Sequence, residues 1–366
     1  MDKELFYLLG LNQIKGIGDV RGRKLLEHFG SAEAIFNTSS KALKEIEVLD
    51  TNSFANLKKG FDEKVVEKEL NFIQKNNIQV HSFLFDSFPK KLKEIPDCPF
   101  ILFSKGKCSL NDNRTIAIVG SRNNTPIGKS FTEQFINDLK EFQPTIVSGL
   151  AYGIDIIAHK AAVEAGLPTI GVLAHGLDMI YPAVHRKTAT EMLDNGGLLT
   201  EYCSGTIPDK PNFPSRNRIV AGLCDATIVI ETDIKGGAMI TAKLALSYNR
   251  DVFAVPGRYN DIRSKGCNYL IKTNIAQLLT EVNDLAEFLN WDLKKINRKR
   301  IQQKLFADFS KEEMDIIKIL EEKETIHIDE FQIKTRMNNT ELATILLQLE
   351  FSNTITSLPG KRYKLN

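Results

Sequence analysis

The 366-residue sequence has no apolar run near the ~18 residues that a bilayer span needs. Met1 to Gln13 has neither the basic start, the apolar stretch nor the small-residue cleavage site of a signal peptide. The expectation is a cytoplasmic protein with no membrane contact. Cysteine is scarce: Cys98, Cys108, Cys203, Cys224 and Cys267 are odd in number, widely spaced and without a C-x-x-C pair. That pattern excludes a disulfide scaffold and a zinc ribbon, and reads as reduced, buried thiols. Six histidines are scattered with no H-E-x-x-H and no cluster at ligand spacing, so no metal is expected, and nothing calls for a cofactor. Also missing are G-x-x-x-x-G-K-[ST], a Ser/His/Asp set at nucleophile-elbow spacing and an inviting pair of carboxylates. An excess of one charge is missing too: 48 Lys and Arg stand against 46 Asp and Glu, a net of +2. Overall charge therefore gives no electrostatic case for a nucleic-acid binder.

What is present divides by pattern. Hydrophobic residues at 42% and charged ones at 26% describe a globular chain. Residues 1–80 read as helices, with a break at Ile14-Lys-Gly-Ile-Gly18, no convincing strand, and 12 basic against 12 acidic residues. Residues 81–291, with 22 of each sign, alternate short β-rich apolar runs with amphipathic stretches. The runs are Thr115–Val119, Thr145–Val147, Thr169–Leu173, Gly197–Thr200, Ala226–Ile230 and Val252–Val255. Strand, turn and helix repeated in this way predict an α/β fold with a doubly wound, Rossmann-like parallel sheet covered on both faces. Residues 292–304 carry a net of +5 and read as a basic linker. Residues 305–366 carry a net of −3 and read as three helices followed by a hairpin at Pro359-Gly360, the winged-helix order. An acidic module is expected to contact protein rather than duplex DNA, with a local basic face near Arg336 or Lys361-Arg362 left open.

The chemistry concentrates at strand-to-helix turns. Gly120-Ser121-Arg122 ends one strand, and the helix after it begins near Pro126. Glycine lets backbone amides approach an anion, and Arg122 suits a phosphodiester, although a solvated loop arginine is the competing reading. Ser148-Gly149, with Gly153 and Asp155, forms a second such turn, whose glycines either cradle an anion or permit close helix packing. Asp155 reads as a capping carboxylate. Lys210-Pro-Asn-Phe213-Pro-Ser-Arg216-Asn217-Arg218, placed before an apolar helix at Ile219–Leu223, holds three cations, an aromatic and an amide. Cations for phosphates and a ring for stacking are what a single strand requires. Phe213 as a core anchor, with the arginines paired to acids such as Asp225 or Glu231, stays open beside it. Lys235-Gly236-Gly237 opens a further helix and reads as another anion nest. The site looks built to hold phosphates rather than to break bonds. A nucleotide-hydrolysing enzyme of related fold is the alternative, with Asp155 and Asp233 lacking a partner at fixed spacing, and a winged-helix transcriptional regulator is a third.

These residues resemble the DNA-processing protein A (DprA/Smf) family. The resemblance runs through Ile118–Arg122, Ser148–Asp155, His175-Gly-Leu-Asp-Met-Ile-Tyr-Pro182, Phe213–Ile219 with Ala221-Gly-Leu223, and Val252–Gly257. The flanks fit as well: Ile14–Gly18 with Phe29–Glu33 looks like the family's helix-hairpin-helix start, and the winged helix like its C-terminal domain. The resemblance implies a non-catalytic, cytoplasmic, homodimeric protein of natural transformation that binds single-stranded DNA and loads a RecA-type recombinase. It also implies roles: Arg122 as phosphate clamp, Lys210 as pocket lysine, Phe213 as stacking ring, and Arg216 to Arg218 as basic rim. Gly236-Gly237-Ala238 departs from the family's commoner Ser-Gly-Ser, and Thr273-Asn274 from its Gly-Ala pair.

Overall fold

The computed structural model describes residues 3–44, 46–291, 309–323, 325–335, 337–351 and 354–365. The basic linker expected at 292–304 and Arg336 lie outside them. The chain forms two compact units, Met1–Leu289 and Asn290–Asn366.

The first unit is built on nine strands: β1 (Gln79–Ser82), β2 (Ile101–Gly106), β3 (Thr115–Val119), β4 (Thr145–Ser148), β5 (Thr169–Val172), β6 (Gly196–Thr200), β7 (Ala226–Val229), β8 (Asp251–Ala254) and β9 (Gln277–Leu278). Their order across the sheet is β1-β2-β6-β5-β4-β3-β7-β8-β9. From β6 to β9 every pairing is parallel, while β1 and β2 extend one edge antiparallel. The six apolar runs account for the six parallel strands that are buried. The sequence reading missed β1, β2 and β9. Gln79-Val-His-Ser82 lacks an apolar run, and β9 is two exposed residues, so neither edge carries the pattern of a strand covered on both faces. The strand at Gln79 also corrects the reading of residues 1–80 as free of strand.

Alternate residues of the parallel strands, among them Ala117, Val119, Val147, Ile170 and Val172, pack with Ile219, Val220, Met239 and Leu270. Those partners come from the helices Asn212–Gly222, Gly237–Ser247 and Lys265–Lys272. The N-terminal helices share a second core with the sheet region, in which Leu8, Leu25, Leu26 and Ile35 join Phe100, Phe103 and Leu198. Contact there is close enough that a Cβ on Gly22 would lie 2.6 Å from the Phe100 ring.

In the chain order of strands, β3 to β6 proceed outward to one side, and the chain then returns to lay β7 on the other side of β3. That reversal opens a crevice at the carboxyl ends of β3, β4 and β7, where ligands bind in open α/β sheets.

The second unit has helices Lys311–Glu322, Ile328–Thr335 and Asn339–Phe351 and a three-stranded sheet of β10 (Ile326–His327), β12 (Arg362–Leu365) and β11 (Ile355–Leu358). Its core is Ile316, Ile317, Leu320, Phe331, Leu342, Leu346 and Ile355, in the winged-helix order expected. Ser310 caps the first helix by accepting from the Glu313 amide, whose side chain accepts in return from the Ser310 amide.

Candidate nucleic-acid interface

A cleft of about 460 Å³ occupies the crevice. Its walls are the turn after β3 (Gly120, Ser121, Arg122), the turn after β4 (Gly149, Ala151, Asp155), the turn after β7 (Thr232, Asp233, Gly236, Gly237) and one face of the helix Asn212–Gly222. Three turns far apart in the sequence and the Phe213–Arg216 segment thus form one concave surface.

Glycine is required where the turns meet. Gly153 has φ +80°, and a Cβ on it would fall 2.1 Å from the Ser121 carbonyl oxygen. The same carbonyl accepts from the Ile154 amide at 3.1 Å, so the β3 and β4 turns are joined through backbone. At Gly149 a Cβ would lie 2.4 Å from Asp155 Oδ2 and 2.6 Å from Arg216 Nη2. The absence of a side chain there lets a buried acid and a buried guanidinium converge over the backbone. From below, His159 Nε2 donates to the Gly149 carbonyl at 2.6 Å while Nδ1 faces the Thr169 hydroxyl at 2.7 Å. Burial pushes that imidazole down to about 4, so it is a neutral strut.

The helix Asn212–Gly222 begins seven residues earlier than the sequence reading placed it, so Phe213, Arg216 and Arg218 are helical. Pro214 sits in the first turn, where a missing N–H costs nothing. Phe213, Arg216, Asn217 and Val220, at helical i, i+3, i+4, i+7 spacing, all line the cleft. Arg218 is two residues, about 200°, away from Arg216 and points elsewhere. Its guanidinium bonds Glu201, Asp19 at 2.7 Å and the Asp97 carbonyl at 2.6 Å. Its place in the basic rim is therefore corrected: Arg218 fastens the N-terminal helix Asp19–Phe29 to the end of β6. Among the described residues neither Asp225 nor Glu231 takes an arginine. Asp225 holds Lys91 at 2.7 Å, and Glu231 accepts from the Thr125 amide and hydroxyl.

Arg216 is buried, its Nη1 donating to the Val172 carbonyl. Burial draws the guanidinium below its usual range and pushes the Asp155 carboxyl above its own, each opposed by the charge of the other. Arg122 is exposed, with its guanidinium 5.5 Å from the Phe213 ring centre. Phe213 is half-buried and faces the cleft. Ser148 is fully buried and spends its hydroxyl on the Ile118 carbonyl at 2.6 Å, so it ties β4 to β3 and offers a ligand nothing. The Gly236 amide is likewise used, donating to the Asp233 carbonyl at 2.8 Å, whereas the space over Gly237 is open. Lys210 and Lys235 are exposed and do not line the cleft. Asp233 accepts from the Ile234 amide at 2.7 Å and is exposed, so it and the buried Asp155 are unlike acids in unlike settings. Among the described residues no three His, Cys, Asp or Glu are placed to hold a metal ion, and no helix is long and apolar enough to cross a membrane.

Sequence reasoning did not single out Tyr152, Tyr181 and His175, which line a smaller adjoining pocket of about 120 Å³ together with Arg122, Phe213 and Arg216. The segment His175–Pro182 stands out in the sequence, but nothing in a single sequence says that it folds against Phe213.

A family model described as DNA recombination-mediator protein A matches residues 79–290. Protein Smf of Synechocystis is 35% identical over 303 residues, 78% of this chain and 73% of that protein. The DNA processing protein DprA of Streptococcus pneumoniae is 43% identical over 208 residues, 57% of this chain and 73% of its own. The X-ray structure of the Streptococcus pneumoniae protein superposes with a TM-score of 0.68 at 34% identity, covering 78% of this chain and 97% of that one. The Helicobacter pylori protein, whose structure is described as showing its single-stranded DNA binding mode, has a TM-score of 0.53 at 33% identity over 58% of this chain and 95% of its own.

Proposed function

Since this chain belongs to the DNA recombination-mediator protein A family, we propose that its cleft binds single-stranded DNA without sequence preference and without chemistry on the strand. The observation that carries the reading is the convergence of Arg122, Gly149, Phe213, Arg216 and the open helix start at Gly237 on one cleft. Arg122 clamps a phosphate from the rim, and Arg216, whose charge Asp155 largely offsets, lines the floor with guanidinium donors. The amides at Gly120–Ser121 and at Gly237 hold further phosphates, Phe213 offers a ring to a base, and Lys210 and Lys235 add long-range attraction from the surface. Transfer of the strand to a RecA-type recombinase, from a cytoplasmic homodimer active in natural transformation, completes the proposal. That part rests on family membership.

The test is oligonucleotide binding by the full chain, single against double strand, across salt. Tight single-strand binding whose logarithm falls linearly with log salt, at about 0.7 per phosphate contact, is the expected result. Equal affinity for duplex, or a flat salt profile, would refute it.

A further inference from the structure

The ionisable side chains that line the cleft are Arg122, Arg216, Asp155 and Asp233. A surface that holds phosphates thus carries as many negative charges as positive ones. The rim pair, Arg122 and Asp233, is exposed, so water and salt screen it. The floor pair is not: Arg216 is 4% exposed and Asp155 8%. Both reach over Gly149, where a Cβ would lie 2.4 Å from Asp155 Oδ2 and 2.6 Å from Arg216 Nη2, so the two groups are immediate neighbours. Each is anchored apart from the other. Arg216 Nη1 donates to the Val172 carbonyl, and Asp155 Oδ2 accepts from the Ala151 amide at 3.4 Å. Arg216 Nε is buried and has no hydrogen-bond partner among the described residues. An anion that takes the remaining donors of Arg216 therefore sits beside a fixed negative charge with little water between them, where a like charge counts for far more than in solution.

Phosphate chemistry makes that charge selective. A phosphodiester carries one negative charge near neutral pH, whereas a phosphomonoester, with a second pKa of about 6, carries close to two. With Asp233 screened, Arg122 and Arg216 against Asp155 leave a surplus of one positive charge where a phosphate binds. We propose that Asp155 is a specificity-determining residue: it leaves the cleft able to accept the single charge of a phosphodiester and unable to accept a phosphomonoester dianion. Internal phosphates of a strand are admitted, while free nucleotides and phosphorylated strand ends are turned away by repulsion built into the floor. The inference rests on the single-strand reading above and adds to it which phosphate the cleft takes. Without such a device a free nucleotide, which offers the same base, sugar and phosphate, would compete with the strand at two guanidinium groups that favour its extra charge.

The experiment uses thymidine 5′-monophosphate and its methyl ester, which differ in little but the second charge. Each displaces a labelled twelve-residue oligothymidylate from the full chain at pH 8, read by fluorescence anisotropy. The wild type should need about tenfold less of the ester than of the monophosphate. In Asp155→Asn, which keeps the shape and removes the charge, that preference should vanish or reverse, and the oligothymidylate itself should bind about tenfold more tightly. At pH 5, where the monophosphate is mainly singly charged, the wild-type preference should vanish as well; this arm needs no variant and covers the case in which Asp155→Asn does not fold. Equal displacement by the two compounds in the wild type at pH 8, including none by either, would overturn the inference and leave strand binding standing. So would a preference that is unchanged in folded Asp155→Asn, which would make Asp155 a countercharge for Arg216 and nothing more. If the wild type did not bind the oligothymidylate, the single-strand reading would itself be wrong, and this one with it.

Discussion

Arg218→Met separates fastening from binding on one helix. Arg218 bonds two carboxylates and a carbonyl while its side chain is 7% exposed and that of Glu201 9%. Methionine matches the aliphatic stem but leaves Glu201, and in part Asp19, without a countercharge in a buried setting, and Glu201 Oε1 already lacks a hydrogen-bond partner among the described residues. Removing one member of a buried ion pair costs about 3–5 kcal/mol. At roughly 2–4 °C per kcal/mol for a large domain, the melting temperature should fall on the order of 10 °C. Pairing the change with Glu201→Gln should recover part of the loss, because the stranded charge is then gone. Single-strand affinity of the folded variant, measured well below its melting temperature, should stay within about twofold of wild type, since Arg218 faces away from the cleft. The assays are calorimetry and oligonucleotide anisotropy on the same preparation. A variant as stable as wild type that bound DNA poorly would show that the two arginines have been assigned to the wrong faces.

Arg122→Ala should weaken single-strand binding and lower the log-log salt slope by about 0.7, the loss of one phosphate contact, with no change in melting temperature; an unchanged slope would remove Arg122 from the clamp. Gly153→Ala puts a Cβ 2.1 Å from the Ser121 carbonyl at φ +80°, so the β3 and β4 turns must part; binding should drop with a stability cost of about 1–3 kcal/mol, read by urea unfolding. Glu201 is pushed up to about 7, chiefly by burial, with Asp19 adding to the rise and Arg218 opposing it. Its folded value lies above the unfolded one, so the native state keeps a proton that the unfolded chain releases, and this contribution to stability falls as pH rises from about 4.5 to 7. Urea midpoints measured from pH 5 to 8 should show that decline in wild type and a shallower one in Glu201→Gln; parallel profiles would sink the assignment.

The parallel sheet was legible because each buried strand is a short, largely apolar run, and the runs that feed the β3 and β4 turns end at a small residue or glycine, as at Val119-Gly120. Its edges were not, because a strand such as Gln79–Ser82 is held by pairing to β2 rather than by its own composition. The turns that form the cleft could be read from glycine next to cation. The direction of each cation could not. Reading Lys210–Arg218 as a loop put Arg216 and Arg218 on one rim, whereas a helix start at Asn212 sends them to opposite sides. The apolar residues Ile219 and Val220 mark that helix plainly, but Pro211 and Pro214 hide its first turn. The partners of Arg218 escaped for a different reason, since Asp19 lies 199 positions away and no local pattern joins them.

The position of the cleft also bears on how the molecule is made. β3 ends at residue 119, yet the strand that completes the sheet beside it, β7, begins at residue 226. During synthesis one margin of β3 therefore waits, its amides and carbonyls unmatched, while more than a hundred residues are added, and contacts so distant in sequence close slowly. Only β8 and β9, at the outer edge, are added after it, so the late-closing seam beside β3 is the one the cleft straddles. A nascent or truncated chain can own every glycine and arginine of the β3 and β4 turns and still have no groove to offer, so the capacity to hold a strand becomes a certificate that β7 has been laid beside β3.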